Sequence, residues 1–159
     1  MLLVAACHVY AEPVPPTVEK GWDYTSHPLV KRLAEDKERT WSLFLGATWW
    51  LPLADPIIFR GPAPNNNTVV FSTVAALRNE LEALNRMVWQ AEEHAILSWG
   101  DTEGYSTDGV YGPDGKINLD DLQVHTEYNT ESLAKFAFSI FWQAMKFAEE
   151  HTVPILLDY

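Results

Sequence analysis

A continuous apolar stripe runs along residues 74–88, and its members follow one another at three- and four-residue spacing: Val74, Leu77, Leu81, Leu84 and Val88. Side chains at this spacing lie on one face of an α-helix, so the stripe predicts a helix with one buried face. Residues 68–71 (Thr-Val-Val-Phe) are typical of a short strand, and Ser72 is a good N-cap. We therefore expect a strand that leads directly into a helix over about 73–95, packed on a sheet.

A second helix is predicted over about 27–39, because Ser26 is a suitable N-cap and Pro28 suits the first turn. Prolines at 13, 15 and 16 interrupt the apolar run at 1–11, which we interpret as a buried first strand. A Gly, Pro and Asn cluster at 61–67 predicts a loop. Further extended segments are expected at 41–59, at 153–159, and in a hairpin over 110–119 that turns at 112–115.

A third helix is predicted over about 131–151. Its wide apolar face comprises Leu133, Phe136, Ala137, Ile140, Phe141, Ala144, Phe147 and Ala148. Three more apolar residues lie outside this face: Phe138, Trp142 and Met145. The helix should therefore be covered on more than one side, or present a hydrophobic patch to a partner.

The order of these elements predicts the fold class. Strands and helices are mixed without steady alternation, which favours an α+β fold with a mixed or antiparallel sheet packed against about three helices. The length of 159 residues suits a single domain, residues 1–159, and the 47% hydrophobic content is enough for a core. No apolar run approaches the roughly 18 residues that span a bilayer.

Acidic residues are concentrated in one segment. Between Arg86 and Lys135 there are ten acidic residues and a single base, Lys116, so this segment carries a net charge of −9 out of −11 for the chain. Such a charge attracts a basic protein and repels nucleic acid and anionic lipid. The sequence therefore predicts a basic protein partner and disfavours nucleic-acid and membrane binding.

Aromatic residues lie between these acids and complete a candidate partner-binding surface. Its members are Trp99, Asp101, Glu103, Tyr105, Asp108, Tyr111, Asp114, Asp120 and Asp121. Carboxylates would steer a cationic partner, and the aromatic rings would supply its contact area. The alternative is a solvated loop that is acidic for solubility.

Local motifs for catalysis or cofactor binding are absent from the sequence. Residues 114–117 (Asp-Gly-Lys-Ile) with Asp121 resemble half of an EF-hand loop, but Val110 and Gly112 stand where the first carboxylates belong, so a hairpin turn is favoured over calcium. Zinc, phosphate-loop and nucleophile-elbow spacings do not occur. We expect no cofactor, no metal and no catalytic residues.

Two other interpretations stay open. An enzyme or small-molecule binder could use His94, His125 or His151 in a pocket lined by tryptophan. A structural homodimer could instead bury the apolar residues outside the main face of the third helix, Phe138, Trp142 and Met145.

The lone cysteine, Cys7, cannot form an internal disulfide, which favours a reducing compartment and hence a cytoplasmic protein. The apolar residues before it lack the basic region and the length of a secretory leader.

Residues 68–77 (TVVFSTVAAL) and 148–159 (AEEHTVPILLDY), with the small size, acidity and single cysteine, resemble the immunity proteins that bacteria encode beside their toxins. This is a resemblance of general character. It implies a non-catalytic inhibitor whose acidic face covers the basic active-site cleft of a nuclease-like toxin.

Overall fold

The computed structural model describes residues 1–63, 66–104 and 127–157. The predicted α+β class is confirmed: helices and two sheets make up this part of the chain. The elements are α1 (Leu2–Val9), β1 (Thr17–Glu19), a 3-10 turn (Tyr24–Ser26), α2 (Pro28–Ala34), β2 (Ala47–Leu51), β3 (Ile58–Pro62), β4 (Thr68–Thr73), α3 (Val74–Val88), α4 (Glu93–Thr102), β5 (Glu127–Asn129), α5 (Thr130–His151) and β6 (Ile155–Leu156).

The larger sheet is mixed, in the order β3-β4-β2-β6. β4 pairs antiparallel with β3 and parallel with β2, and β6 pairs antiparallel with β2. The second sheet is a short antiparallel ribbon of β1 and β5, in which Val18 lies opposite Tyr128. This ribbon places residues just before α5 beside residues 17–19.

The structure confirms that a strand leads directly into a helix within residues 68–95, although the bounds differ from the prediction. β4 runs into α3, but the N-cap is Thr73 rather than Ser72, because the Thr73 hydroxyl accepts a hydrogen bond from the Ala76 backbone N–H at 3.2 Å. The helix ends at Val88 instead of about 95. The remaining residues of the predicted helix belong to a turn and to α4, which the sequence did not predict.

The predicted first strand is wrong, since residues 2–9 form α1. Leucine and alanine supply four of the eight residues, and five consecutive residues, 3–7, are buried. Alanine and leucine favour helix, and a short run that is buried on every side carries no period by which helix and strand can be distinguished.

The predicted helix 131–151 is confirmed as α5, yet its buried face is rotated from the prediction. Phe138 and Met145 are buried, whereas Ile140 and Phe147 are exposed. The reason is α4, which packs antiparallel along α5, as its Lys146–Glu93 and Lys135–Glu103 pairs show. Phe138 lies against rings that include Trp89, at 4.9 Å between ring centroids.

The remaining predictions are met in part. Helix α2 is shorter than the predicted 27–39 and is capped by His27, whose Nδ1 accepts from the Leu29 N–H at 3.3 Å. Within 41–59 only β2 and the start of β3 are strands, and β3 continues into the predicted 61–67 loop. The final strand is confined to residues 155–156.

One face of the larger sheet is apolar and open. Phe71 stacks on Phe59 at 5.2 Å and contacts Trp49 at 6.3 Å, and Phe59 and Leu156 are exposed. On the other face, Trp50 is fully buried against Phe141 of α5. Across the described ranges, none of the helices has both the length and the apolar composition needed to cross a bilayer.

Candidate functional site

The structure describes three of the nine residues of the predicted partner-binding surface: Trp99, Asp101 and Glu103. The other six lie outside the described residues: Tyr105, Asp108, Tyr111, Asp114, Asp120 and Asp121. The predicted hairpin at 110–119, the half EF-hand motif and His125 lie outside them as well.

Trp99 is part of an aromatic cluster rather than an isolated surface ring. Its ring lies 5.4 Å from that of Trp89 and 6.1 Å from that of Phe138. The Lys135 ammonium group lies 5.6 Å from the Trp99 ring centroid and 3.9 Å from a carboxylate oxygen of Glu103. Of the three described residues, Asp101 alone is exposed.

Other acidic residues of the segment also have internal partners. Glu93 pairs with Lys146 at 3.0 Å, and this lysine holds the pKa of Glu93 below its usual range. Glu131 accepts a hydrogen bond from the Trp89 indole N–H. Lys135 and Lys146 on α5 thus offset part of the charge that the sequence concentrates between 86 and 135.

The histidines of the alternative interpretation are surface residues. His94 lies in the first turn of α4, and His151 ends α5 with its ring against Phe147 at 4.2 Å. Both are exposed. Neither lines the cavity described next.

An apolar cavity of about 500 Å³ lies between α1, the β1–β5 ribbon, β2 and α5. Aromatic rings form much of its wall: Trp22, Tyr24, Trp50, Tyr128 and Phe141. Smaller apolar residues complete it, among them Leu3, Val18, Leu43, Ala47, Leu133 and Ala137. Its volume falls in the range of about 300 to 1,000 Å³ that is typical of small-molecule sites.

Polar groups are few in this cavity. Glu19 ends β1 and Lys20 follows it, and both residues are exposed. Thr130, the first residue of α5, is 5% exposed, and its hydroxyl has no hydrogen-bond partner within the described parts of the chain. Buried hydroxyls are normally paired, so this one is an exception that needs a reason.

A buried hydrogen-bond network holds the wall residue Trp50. The indole N–H of Trp50 donates to the Ser42 hydroxyl at 3.0 Å, and that hydroxyl donates to Glu80 of α3 at 3.0 Å. Glu80 also accepts from the backbone N–H groups of Ser42 at 2.6 Å and Leu43 at 3.2 Å. Burial nevertheless raises the pKa of Glu80 to about 7, because the loss of hydration outweighs these three donors.

The sequence contains little signal for this cavity. Its walls come from segments that are far apart in the chain, and several of them, including α1 and the β1–β5 ribbon, were not predicted in their observed form. The abundance of tryptophan was the available hint, since seven occur in 159 residues. Neither Trp22 nor Trp50 could be assigned to a site from that count.

No protein-family model matches the chain, and no curated protein or solved structure proved similar to it. Within residues 1–63, 66–104 and 127–157, no group of three or more His, Cys, Asp or Glu residues could hold a metal ion. Functional inference therefore rests on the cavity and on the distribution of charge.

Proposed function

We propose that the protein is a non-catalytic binding protein whose cavity holds a small, mostly apolar molecule. The supporting observation is the cavity itself, which is walled by aromatic rings and large enough for a molecule of ordinary ligand size. An apolar occupant would remove part of this wall from contact with water, which favours binding.

The composition of the walls favours binding over catalysis. A catalytic site needs a nucleophile, an acid or a base within reach of the substrate. Among the described residues, the ionisable side chains along the wall are Glu19, Lys20 and the tyrosines 24 and 128, while His94 and His151 lie elsewhere. The alternative interpretation of the sequence, a binder with a tryptophan-lined pocket, is retained in this form without His94 and His151.

Filling the cavity should abolish binding. We expect wild-type protein to bind the fluorescent apolar probe N-phenyl-1-naphthylamine, and Ala137→Phe to bind it at least about tenfold more weakly, because a ring placed on this wall residue occupies the site. Fluorescence titration measures both affinities. Circular dichroism should show that both proteins are folded.

A matched control lies on the same helix. Ala144 is half-buried and does not line the cavity, so Ala144→Phe should leave probe affinity unchanged. Equal affinities for wild type and Ala137→Phe, with both folded, would show that the probe binds elsewhere. Absence of probe binding in the wild type would count against the proposed function.

A second proposal is that the acidic segment docks a basic protein, as an immunity protein does with its toxin. Its specific support on α4 is Leu97, 43% exposed, which lies one turn before the exposed Asp101 on the same face of the helix. Such an arrangement combines steering charges with an apolar contact. The internal pairing of Glu93 and Glu103 reduces the support from the other described acids.

Charge reversal tests this second proposal. If a large secreted protein is encoded directly upstream, its C-terminal domain is the partner to use. The variant Asp101→Lys, Asp108→Lys, Asp114→Lys should associate with that domain about tenfold or more slowly at low salt, and its rate should depend less on ionic strength. An unchanged association rate in stopped-flow measurements would refute the proposal.

We also propose a reducing, cytoplasmic location. Cys7 is buried in α1, and burial raises the pKa of its thiol, which disfavours the reactive thiolate. Fractionation of cells that express a tagged protein tests this location. Recovery of the protein outside the cytoplasm would contradict it.

A further inference from the structure

We propose that the Thr130 hydroxyl is the recognition group of the cavity, and that the ligand is an uncharged, mostly apolar molecule with one hydroxyl or carbonyl group. This inference rests on the proposed binding function and goes further, because it specifies the ligand's chemistry. Thr130 lines the cavity at the junction of the β1–β5 ribbon and α5, between the wall residues Tyr128 and Leu133.

The structure assigns no folding role to this hydroxyl. The Asn129 side chain caps α5 by accepting from the Ser132 N–H at 2.8 Å. The Thr130 backbone N–H donates to the Pro16 carbonyl at 3.1 Å, and the Ser132 hydroxyl accepts from the Gly104 N–H at 2.8 Å. The neighbouring polar groups are therefore paired, whereas the Thr130 hydroxyl is buried and unpaired among the described residues.

An unpaired buried hydroxyl lowers stability, so a polar atom of a ligand would remove a real cost. The hydroxyl oxygen has no exposed surface as observed, so it must rotate to meet a ligand; rotation about the Cα–Cβ bond exchanges it with a methyl group of similar size and leaves the wall shape unchanged. A hydroxyl both donates and accepts, which permits either an alcohol or a carbonyl as the partner.

The charges around the cavity favour an uncharged ligand. Glu19 and Lys20 are the charged side chains among its lining residues, and both are exposed. A charged group taken into the apolar interior would lose its hydration. The aromatic walls instead suit a ring system or an alkyl chain.

A pair of probes of matched shape tests this assignment. We expect the ratio of 1-naphthol affinity to 1-methylnaphthalene affinity, measured by displacement of N-phenyl-1-naphthylamine, to fall by about three- to tenfold in Thr130→Val. Valine keeps the shape of threonine and removes the hydrogen bond. Thr130→Ser keeps the hydroxyl and should retain the wild-type ratio.

Thermal unfolding without ligand supplies a second readout. Thr130→Val should melt at a higher temperature than wild type, since it replaces an unpaired hydroxyl with a methyl group. A lower melting temperature would assign the hydroxyl a structural partner and overturn the proposal. If Thr130→Val does not fold, Thr130→Ala takes its place in the probe comparison.

The outcomes separate this inference from the proposed function. If both probes bind and the ratio is the same in wild type and Thr130→Val, the cavity binds ligands but Thr130 does not recognise them. If N-phenyl-1-naphthylamine does not bind the wild type, the binding function itself is refuted; if it binds but neither probe displaces it, the inference about Thr130 fails and the binding function stands.

Discussion

Phe138→Ala is expected to lower the free energy of unfolding by about 3 to 5 kcal/mol, the usual cost of deleting a buried phenyl ring and leaving a cavity. Phe138 is 0% exposed, and three indole rings surround it, with centroids at 4.9 Å for Trp89, 5.8 Å for Trp142 and 6.1 Å for Trp99. The ring therefore connects α5 to α4 and to the end of α3. Urea unfolding followed by tryptophan fluorescence measures the change.

The matched control is Phe147→Ala on the same helix. Phe147 is 57% exposed and contacts His151, so its removal should change the free energy of unfolding by no more than about 0.5 kcal/mol. The amphipathic pattern predicts the opposite order, because it places Phe147 on the buried face and Phe138 outside it. A larger effect at Phe147 would contradict the observed rotation of α5.

Long periodic elements of this fold are predictable from the sequence. The stripe from Val74 to Val88 fixes α3 because its spacing matches the helical repeat over four turns. The existence of α5 follows in the same way. The identity of its buried face does not follow from the sequence. An apolar residue occurs at most positions around this helix, and contact with α4 determines which of them are buried.

Short buried elements and the cavity are not predictable in this way. Residues 3–7 of α1 are all buried, so the segment has no polar face from which a period could be read. The cavity walls derive from α1, the ribbon, β2 and α5, which meet only in the folded chain. The hydroxyl of Thr130 likewise becomes unusual only when its burial and the pairing of its neighbours are known.

The candidate partner surface shows a related limit. Charge along the sequence identifies acidic residues, but it does not show which of them have internal partners. Glu103 is 18% exposed and pairs with Lys135, which lies 32 residues later in the chain, while Asp101, two residues before Glu103, is exposed. Steering by this segment therefore depends on residues such as Asp101 rather than on the total charge.

Between about pH 5 and pH 7, Glu80 should lower the stability of the protein as the pH rises. Burial raises the pKa of this carboxyl from an ordinary 4.5 to about 7, so across this range the folded protein retains a proton that the unfolded chain has released. The contribution of Glu80 to stability therefore falls as the pH rises through this window. Above about pH 7 the carboxyl is ionised in both the folded and the unfolded chain, so its contribution no longer changes. The total change is about 3 kcal/mol, at about 1.4 kcal/mol for each pH unit between the two pKa values.

Comparison with Glu80→Gln isolates this contribution. The variant cannot ionise at position 80, so the free energy of unfolding of the wild type minus that of the variant, measured in urea from pH 5 to pH 8, should fall as the pH rises to about 7. Subtracting one curve from the other removes the contributions of all other groups, including the Met1 amino group, whose pKa burial lowers to about 5 and whose effect on stability has the opposite sign. Glu82→Gln, on the same helix with a side chain that is 43% exposed, serves as the control and should keep the wild-type slope.

The Glu80 result also bears on the cavity, since Ser42 joins this carboxyl to the wall residue Trp50. Ionisation of Glu80 strengthens its hydrogen bonds from Ser42 and Leu43 while it lowers stability through desolvation. If wild type and Glu80→Gln show parallel pH profiles, the carboxylate is better hydrated than its burial indicates. The loop at 42–43 would then have a more open arrangement than the one observed.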